Sequence, residues 1–144
     1  MFKILLSSII LLPITLLSAN DSFAKKMEYS INYQQAKKDA ITKYKPIMVV
    51  ISTVTCPWCK KFENQTLKKE NINTYIQVHF TPVKLIRDQD KYPTKLLNAK
   101  VVPTVFFVNP KTDQPFHISK GYKNKKDFFK QLEKAKSIYY DLGE

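Results

Sequence analysis

Thr55-Cys56-Pro57-Trp58-Cys59-Lys60 follows directly on the apolar run Ile47-Met48-Val49-Val50-Ile51, and this junction constrains the chain more than any other feature. A short apolar run bounded by polar residues reads as a buried strand, and proline suits the first position of a helix. Cys56 is thus predicted where strand turns into helix, beside unpaired backbone N–H groups and the positive end of the helix dipole. Those fields favour thiolate over thiol, and thiolate is the reactive form. Cys56 and Cys59 are the only cysteines, so a single internal disulfide is available and it closes a four-residue loop. On the chain-entropy model so short a loop stabilises by only about 2 kcal/mol. That is a weak use as a staple, and the spacing reads as redox chemistry instead.

The first residues have the pattern of an export leader. Lys3 supplies a positive start, Ile4 to Leu17 a short apolar core, and Ser22-Phe23-Ala24 a small-x-small cleavage site. The expectation is a signal peptide over residues 1–24 and a periplasmic domain over 25–144. A cut after Ala19 is the alternative, with Leu17 a poorer fit at its −3 position. The apolar stretch is shorter than the roughly 20 residues of a spanning helix, and Pro13, Ser7, Ser8 and Thr15 weaken it as an anchor. No cysteine stands near the cut to carry a lipid. The remaining length is that of one domain with a real core, in a compartment where disulfides are permitted.

A formal charge of +12 raises the question of nucleic acid. Arg87 is the only arginine, however, and the lysines are spread along the chain. Specific nucleic-acid sites favour arginine forks or a concentrated basic stripe. The densest group, Lys120, Lys123, Lys125, Lys126, Lys130 and Lys134, reads as a solvated helix face. The charge is left to steer acidic partners or anionic surfaces.

Along the domain, Tyr29 and Ile31 alternate with polar residues and predict a short first strand. Tyr33 to Tyr44 carries Ala36, Ala40 and Tyr44 at helical steps, and Pro46 ends that helix. Ile47 to Ser52 is a central strand. Cys59, Phe62 and Thr66 then share one face of the helix opened by Pro57. Asn71 to His79 predicts further helix, Val83 to Ile86 a strand, Tyr92 to Ala99 a short helix, and Val105 to Val108 a third buried strand. Turn chemistry fills Asn109 to Asp113. Phe116 and Ile118 alternate in a strand that Pro115 confines to a sheet edge. Phe128, Leu132, Ala135, Tyr139 and Leu142 form one helical stripe, capped by Asn124 with Asp127 three residues on. The prediction is one α/β domain.

Val101-Val102-Pro103-Thr104 precedes the third strand. Together with the cysteine motif and the closing helix, it makes the chain resemble the thioredoxin superfamily over residues 28–142. The resemblance implies a thioredoxin fold: a central mixed sheet flanked by helices, with Pro103 in a cis bond beside the cysteine pair. It further implies that Val102 offers its backbone to a docked substrate strand. Two departures stand out. Thioredoxins carry Trp-Cys-Gly-Pro-Cys, whereas here Pro57-Trp58 forms the inner pair. They also carry a buried aspartate six positions before the first cysteine, where this chain has Val50. Glu63, Lys60 or water is left to take the proton of Cys59.

The mechanism this implies is thiol–disulfide exchange. Cys56, exposed at the helix start, is the nucleophile; Cys59 resolves the mixed disulfide. Trp58 is either a substrate contact or helix packing. Proline after the first cysteine resembles glutaredoxins and periplasmic disulfide oxidases, but Trp58 stands where some strong oxidases place histidine. The chain has no room for the oxidases' inserted helical domain or the isomerases' dimerisation domain. The expectation is a monomeric enzyme reducing disulfides of exported proteins, recharged by a membrane thiol–disulfide donor and needing no cofactor. A disulfide-forming oxidant is the alternative. Of other classes, a Cu(I) carrier and a redox-inactive binding module on the same fold remain. A zinc site is not expected, because His79 and His117 are far apart in sequence.

Overall fold

The structure, a computed structural model, describes residues 21–143. The leader pattern over residues 1–20 lies outside the described residues. Four strands form a mixed sheet in the order β2-β1-β3-β4: β1 Ile47–Ser52, β2 Thr81–Ile86, β3 Thr104–Val108 and β4 Pro115–Lys120. β1 and β2 are parallel, and β1–β3 and β3–β4 are antiparallel. Every residue of β1 is buried, as expected of a strand covered on both faces. β4 is one of the two edge strands, and Pro115 is its first residue, where a missing N–H costs no ladder bond.

Among the described residues five helices cover the sheet: α1 Ser22–Met27, α2 Tyr33–Lys43, α3 Pro57–Phe62, α4 Glu70–His79 and α5 Lys125–Asp141. A π-helical turn, Glu63–Leu67, continues α3. Period-2 alternation sorts the strand residues into two cores. Met48, Val50, Val105 and Phe107 meet Phe23 of α1, Phe62 of α3, Ile76 of α4 and Phe128 of α5. Ile47, Val49, Ile51 and Phe106 meet Tyr33, Ala36 and Ala40 of α2 and Leu97 of the loop before β3. The long stripe of α5 buries Phe128, Leu132, Ala135 and Tyr139, and Asn124 caps it by accepting the Asp127 N–H at 2.9 Å.

Several expectations are corrected. Tyr29 and Ile31 do not make a strand: Ser30 forms only an isolated bridge to Val83, because α1 ends just before it and Asn32 already caps α2. Tyr92 to Ala99 is not a helix. Leu96 and Leu97 both donate to the Pro93 carbonyl, closing a single turn, and the Arg87 guanidinium then takes the carbonyls of Ala99 and Lys100 at 2.8 and 3.2 Å. Tyr44 and Leu142 leave their helical stripes, since each is the exposed residue that terminates its helix.

The packed domain also begins before Lys25. Asp21 caps α1 by accepting the N–H groups of Phe23 and Ala24, and both of those side chains are buried. Phe23 and Ala24 are therefore part of the core, however well Ser22-Phe23-Ala24 fits a cleavage pattern.

Candidate active site

The cysteine motif sits where β1 hands over to α3. β1 ends at Ser52, residues 53–55 turn the chain, and Cys56 is the extended N-cap residue of α3 with Pro57 in the first turn. A helix start leaves N–H groups without intrahelical partners. The Cys59 N–H is one of these, and it donates to Cys56 Sγ at 3.1 Å. Cys56 and Cys59 are joined as a disulfide. Both are buried, Cys56 at 8 % exposure and Cys59 at 3 %. Cys56 is thus less open than a helix-start position implied, yet it remains the more accessible of the two.

Sheet register brings the Val102-Pro103 loop to the same place. β3 runs antiparallel to β1, and Thr104 pairs with Ile51, so the segment entering β3 meets the end of β1 that leads to Cys56. The Val102–Pro103 peptide is cis, and Pro103 is buried. Its carbonyl accepts the Gly121 N–H at 2.7 Å, while Thr104 Oγ1 donates to the Val101 carbonyl at 2.6 Å. These bonds fix the loop on both sides of Val102. Among the described residues none engages the Val102 backbone, and Val101 is exposed.

Trp58 projects from α3 with 56 % of its surface exposed. Its ring lies 5.7 Å from that of Tyr122, and Lys61 Nζ stands 4.8 Å from one ring centre and 4.9 Å from the other. Trp58 is held by these contacts without being covered.

Beneath the disulfide lies a charged group that sequence reasoning only half found. Glu63, four residues after Cys59, has a carboxylate only 5 % exposed. Its Oε1 pairs with Lys84 Nζ at 2.5 Å, and the Lys84 side chain is itself 3 % exposed. Lys84 Nζ also meets Asp21 Oδ2 at 2.7 Å, and Lys60 reaches Glu63 Oε2 at 3.4 Å from the surface. Burial would raise the Asp21 carboxyl. The Lys84 hydrogen bond and charge, with the N–H groups of Ala24 and Phe23, outweigh burial and hold it below the usual carboxylate range. A cleft of about 300 Å3 is lined by Cys59, Glu63, Lys84 and Asp21 together. Of the three candidates for the Cys59 proton the structure places Glu63 here, and it adds Lys84 and Asp21, which the local sequence around the cysteines does not mark. The available signal was Lys84 itself, a lysine inside an apolar strand that requires a buried counter-charge.

His79 lies at the end of α4 and His117 in β4. His117 shares a 2.9 Å hydrogen bond with Gln131. Among the described residues no group of three or more His, Cys, Asp or Glu could hold a metal ion. A larger cleft between α4 and α5, about 600 Å3 and lined by Tyr75, Val78 and Phe129, contains neither cysteine.

Residues 33–136 match the family described as Thioredoxin-like domain, and the chain belongs to that family. Solved structures of the same fold include a thioredoxin from Thermus thermophilus. It is 19% identical with a TM-score of 0.64, the match covering 74% of this chain and 85% of that one. The DsbH oxidoreductase is 15% identical with a TM-score of 0.63, over 75% of this chain and 83% of the other. The periplasmic thioredoxin SoxS from Paracoccus pantotrophus, in its reduced form, is 13% identical with a TM-score of 0.54, over 66% and 99%. A search of the curated proteins found no match.

Proposed function

We propose that this protein is an exported thiol–disulfide oxidoreductase that reduces disulfides in other proteins through a Cys56/Cys59 cycle. The observation that carries the reading is the pair itself: the only two cysteines, joined at the start of α3, with Cys56 Sγ accepting the Cys59 N–H. In the reduced form that N–H and the helix dipole favour a Cys56 thiolate. The thiolate attacks a substrate disulfide, forming one S–S bond and releasing one substrate thiolate. Cys59, as thiolate, then attacks Cys56 Sγ; the internal disulfide forms and the second substrate sulfur leaves as thiolate.

The unengaged Val102 backbone supports substrate docking by strand pairing, with exposed Trp58 and Val101 flanking it. The leader pattern supports export to the periplasm. Among the described residues no helix is long and apolar enough to cross a membrane. Disulfide-containing exported proteins would be the substrates, and a membrane thiol–disulfide carrier the electron donor.

Insulin reduction driven by dithiothreitol tests the activity. Turbidity from the freed B chain should appear faster with the protein than without it, and Cys56→Ser should abolish the difference. No acceleration by the wild-type protein would remove the reductase reading.

A further inference from the structure

We propose that the buried cluster Glu63–Lys84–Asp21 serves the redox pair as its proton acceptor, Glu63 taking the Cys59 proton while Lys84 and Asp21 hold Glu63 in place and set its charge. This rests on the oxidoreductase reading above. Before Cys59 can close the internal disulfide it must lose a proton, and at 3 % exposure it has little access to bulk water. The position six residues before Cys56 is Val50, which brings no acid. Register shows what that position faces: Val50 pairs with Lys84 across β1 and β2, so both side chains stand on the same face of the sheet. The lysine is present and its counter-charge comes from two other elements, Glu63 following α3 and Asp21 heading α1.

The charge count makes this cluster a base. Two carboxylates share one buried ammonium, so the group carries an excess negative charge that a single proton neutralises. Other charges facing it are few. Lys60 touches Glu63 from the solvent side, and Asp90, bound to the Ile86 N–H at 2.6 Å, lines a small cleft with Asp21 and Lys84. β1 contributes only Val50. The Phe23 ring closes the cluster beside Lys84, 5.2 Å from Nζ. The shared cleft of about 300 Å3 links Cys59 to Glu63 and has room for water, whose share of liquid volume is about 30 Å3.

The step balances without any added reagent. The Cys59 proton passes to the Glu63 carboxylate and the Cys59 thiolate attacks Cys56 Sγ. The S–S bond to substrate breaks and the substrate sulfur departs as thiolate, while Glu63 returns its proton to that thiolate or, where the thiolate is too weak a base, to water in the cleft. Asp21 lies outside the matched span 33–136, so a residue beyond that span becomes a positioning residue of the redox site.

Reduced protein mixed with an aromatic disulfide of nitrothiobenzoate tests this, because two coloured thiolates leave in turn. The first release reports attack by Cys56, and its absence in the wild type would defeat the oxidoreductase reading itself. The second reports closure by Cys59. Glu63→Gln should slow the second release at neutral pH by about tenfold or more, while the first stays within about twofold. The deficit should shrink as pH rises and hydroxide takes over. Val50→Asp added to Glu63→Gln should restore part of the rate, since it returns a carboxylate to the side of Lys84. Asp21→Asn keeps an oxygen to cap α1 but removes a charge, so the acid limb of the second release should move to lower pH. A second release that Glu63→Gln leaves unchanged at every pH would overturn the proposal. So would equal slowing of both releases with an unaltered pH profile. Should Glu63→Gln fail to fold, an unmoved acid limb in Asp21→Asn would overturn it alone.

Discussion

At the scale of single residues, the two cysteines differ by position in the helix. Cys56 is the N-cap, reached by the Cys59 N–H, whereas Cys59 lies one turn in and is almost wholly covered. Cys59→Ser is therefore expected to accumulate the mixed disulfide with a protein substrate, and Cys56→Ser to accumulate far less. Non-reducing gels of the two variants measure this, and equal trapping would remove the assignment. His117 offers a separate test by pH. Burial, together with Lys134, lowers its pKa against the opposing bond from Gln131. A depressed histidine stabilises the fold above its unfolded value of about 6.5, and that contribution is lost as pH falls through the folded value. His117→Gln should accordingly lose less stability than the wild type between neutral and mildly acidic pH, as read by urea unfolding.

At the scale of elements, α1 carries the consequence. A chain beginning at Lys25 lacks the Asp21 cap, the buried Phe23 ring and one of the two carboxylates on Lys84. It should be less stable than a chain beginning at Asn20 by about 3 kcal/mol or more, the cost of losing one large core aromatic. Urea unfolding of the two chains compares them. If export removes the leader, sequencing of the processed protein should find Asp21 retained, consistent with the cut after Ala19. The leader pattern is a purely local reading that lies mostly outside the described residues, and Ser22-Phe23-Ala24 satisfies a processing signal and a helix start equally well. Only tertiary packing separates the two.

The same distinction explains the other elements. β1, α3 and α5 were readable from apolar runs, Pro57, and the stripe from Phe128 to Tyr139, all of them local signals. Tyr92 to Ala99 has a helical composition, but its last carbonyl, that of Ala99, and the next one, of Lys100, bind Arg87, a partner the local pattern does not show. Glu63 was visible as an acid near the motif. Its pairing with Lys84 depends on the β1–β2 register, and its link to Asp21 on a helix assigned to the leader.

At the scale of the whole molecule, the remaining question is which way electrons flow. Oxidising power in this chemistry comes from over-stabilising the reduced form, chiefly its thiolate. The fold supplies Cys56 with the start of α3 and one N–H donor, but the residues inside the pair, Pro57 and Trp58, carry no charge. Below the pair, the carboxylates of Glu63 and Asp21 are set against Lys84 and the exposed Lys60, leaving little net positive field. The overall charge of +12 is spread over surface lysines, where solvent and salt screen it from the sulfur. Nothing in this arrangement stabilises the Cys56 thiolate much beyond what a helix start provides. The disulfide should then be the more stable partner when it meets a substrate disulfide. Equilibration with glutathione buffers should give a potential nearer the roughly −270 mV of thioredoxins than the roughly −120 mV of strong disulfide oxidants. Reduction of protein disulfides follows from a value at the low end. A measured potential above about −150 mV would instead make the protein a disulfide-forming oxidant, and would locate a thiolate-stabilising charge that this balance omits.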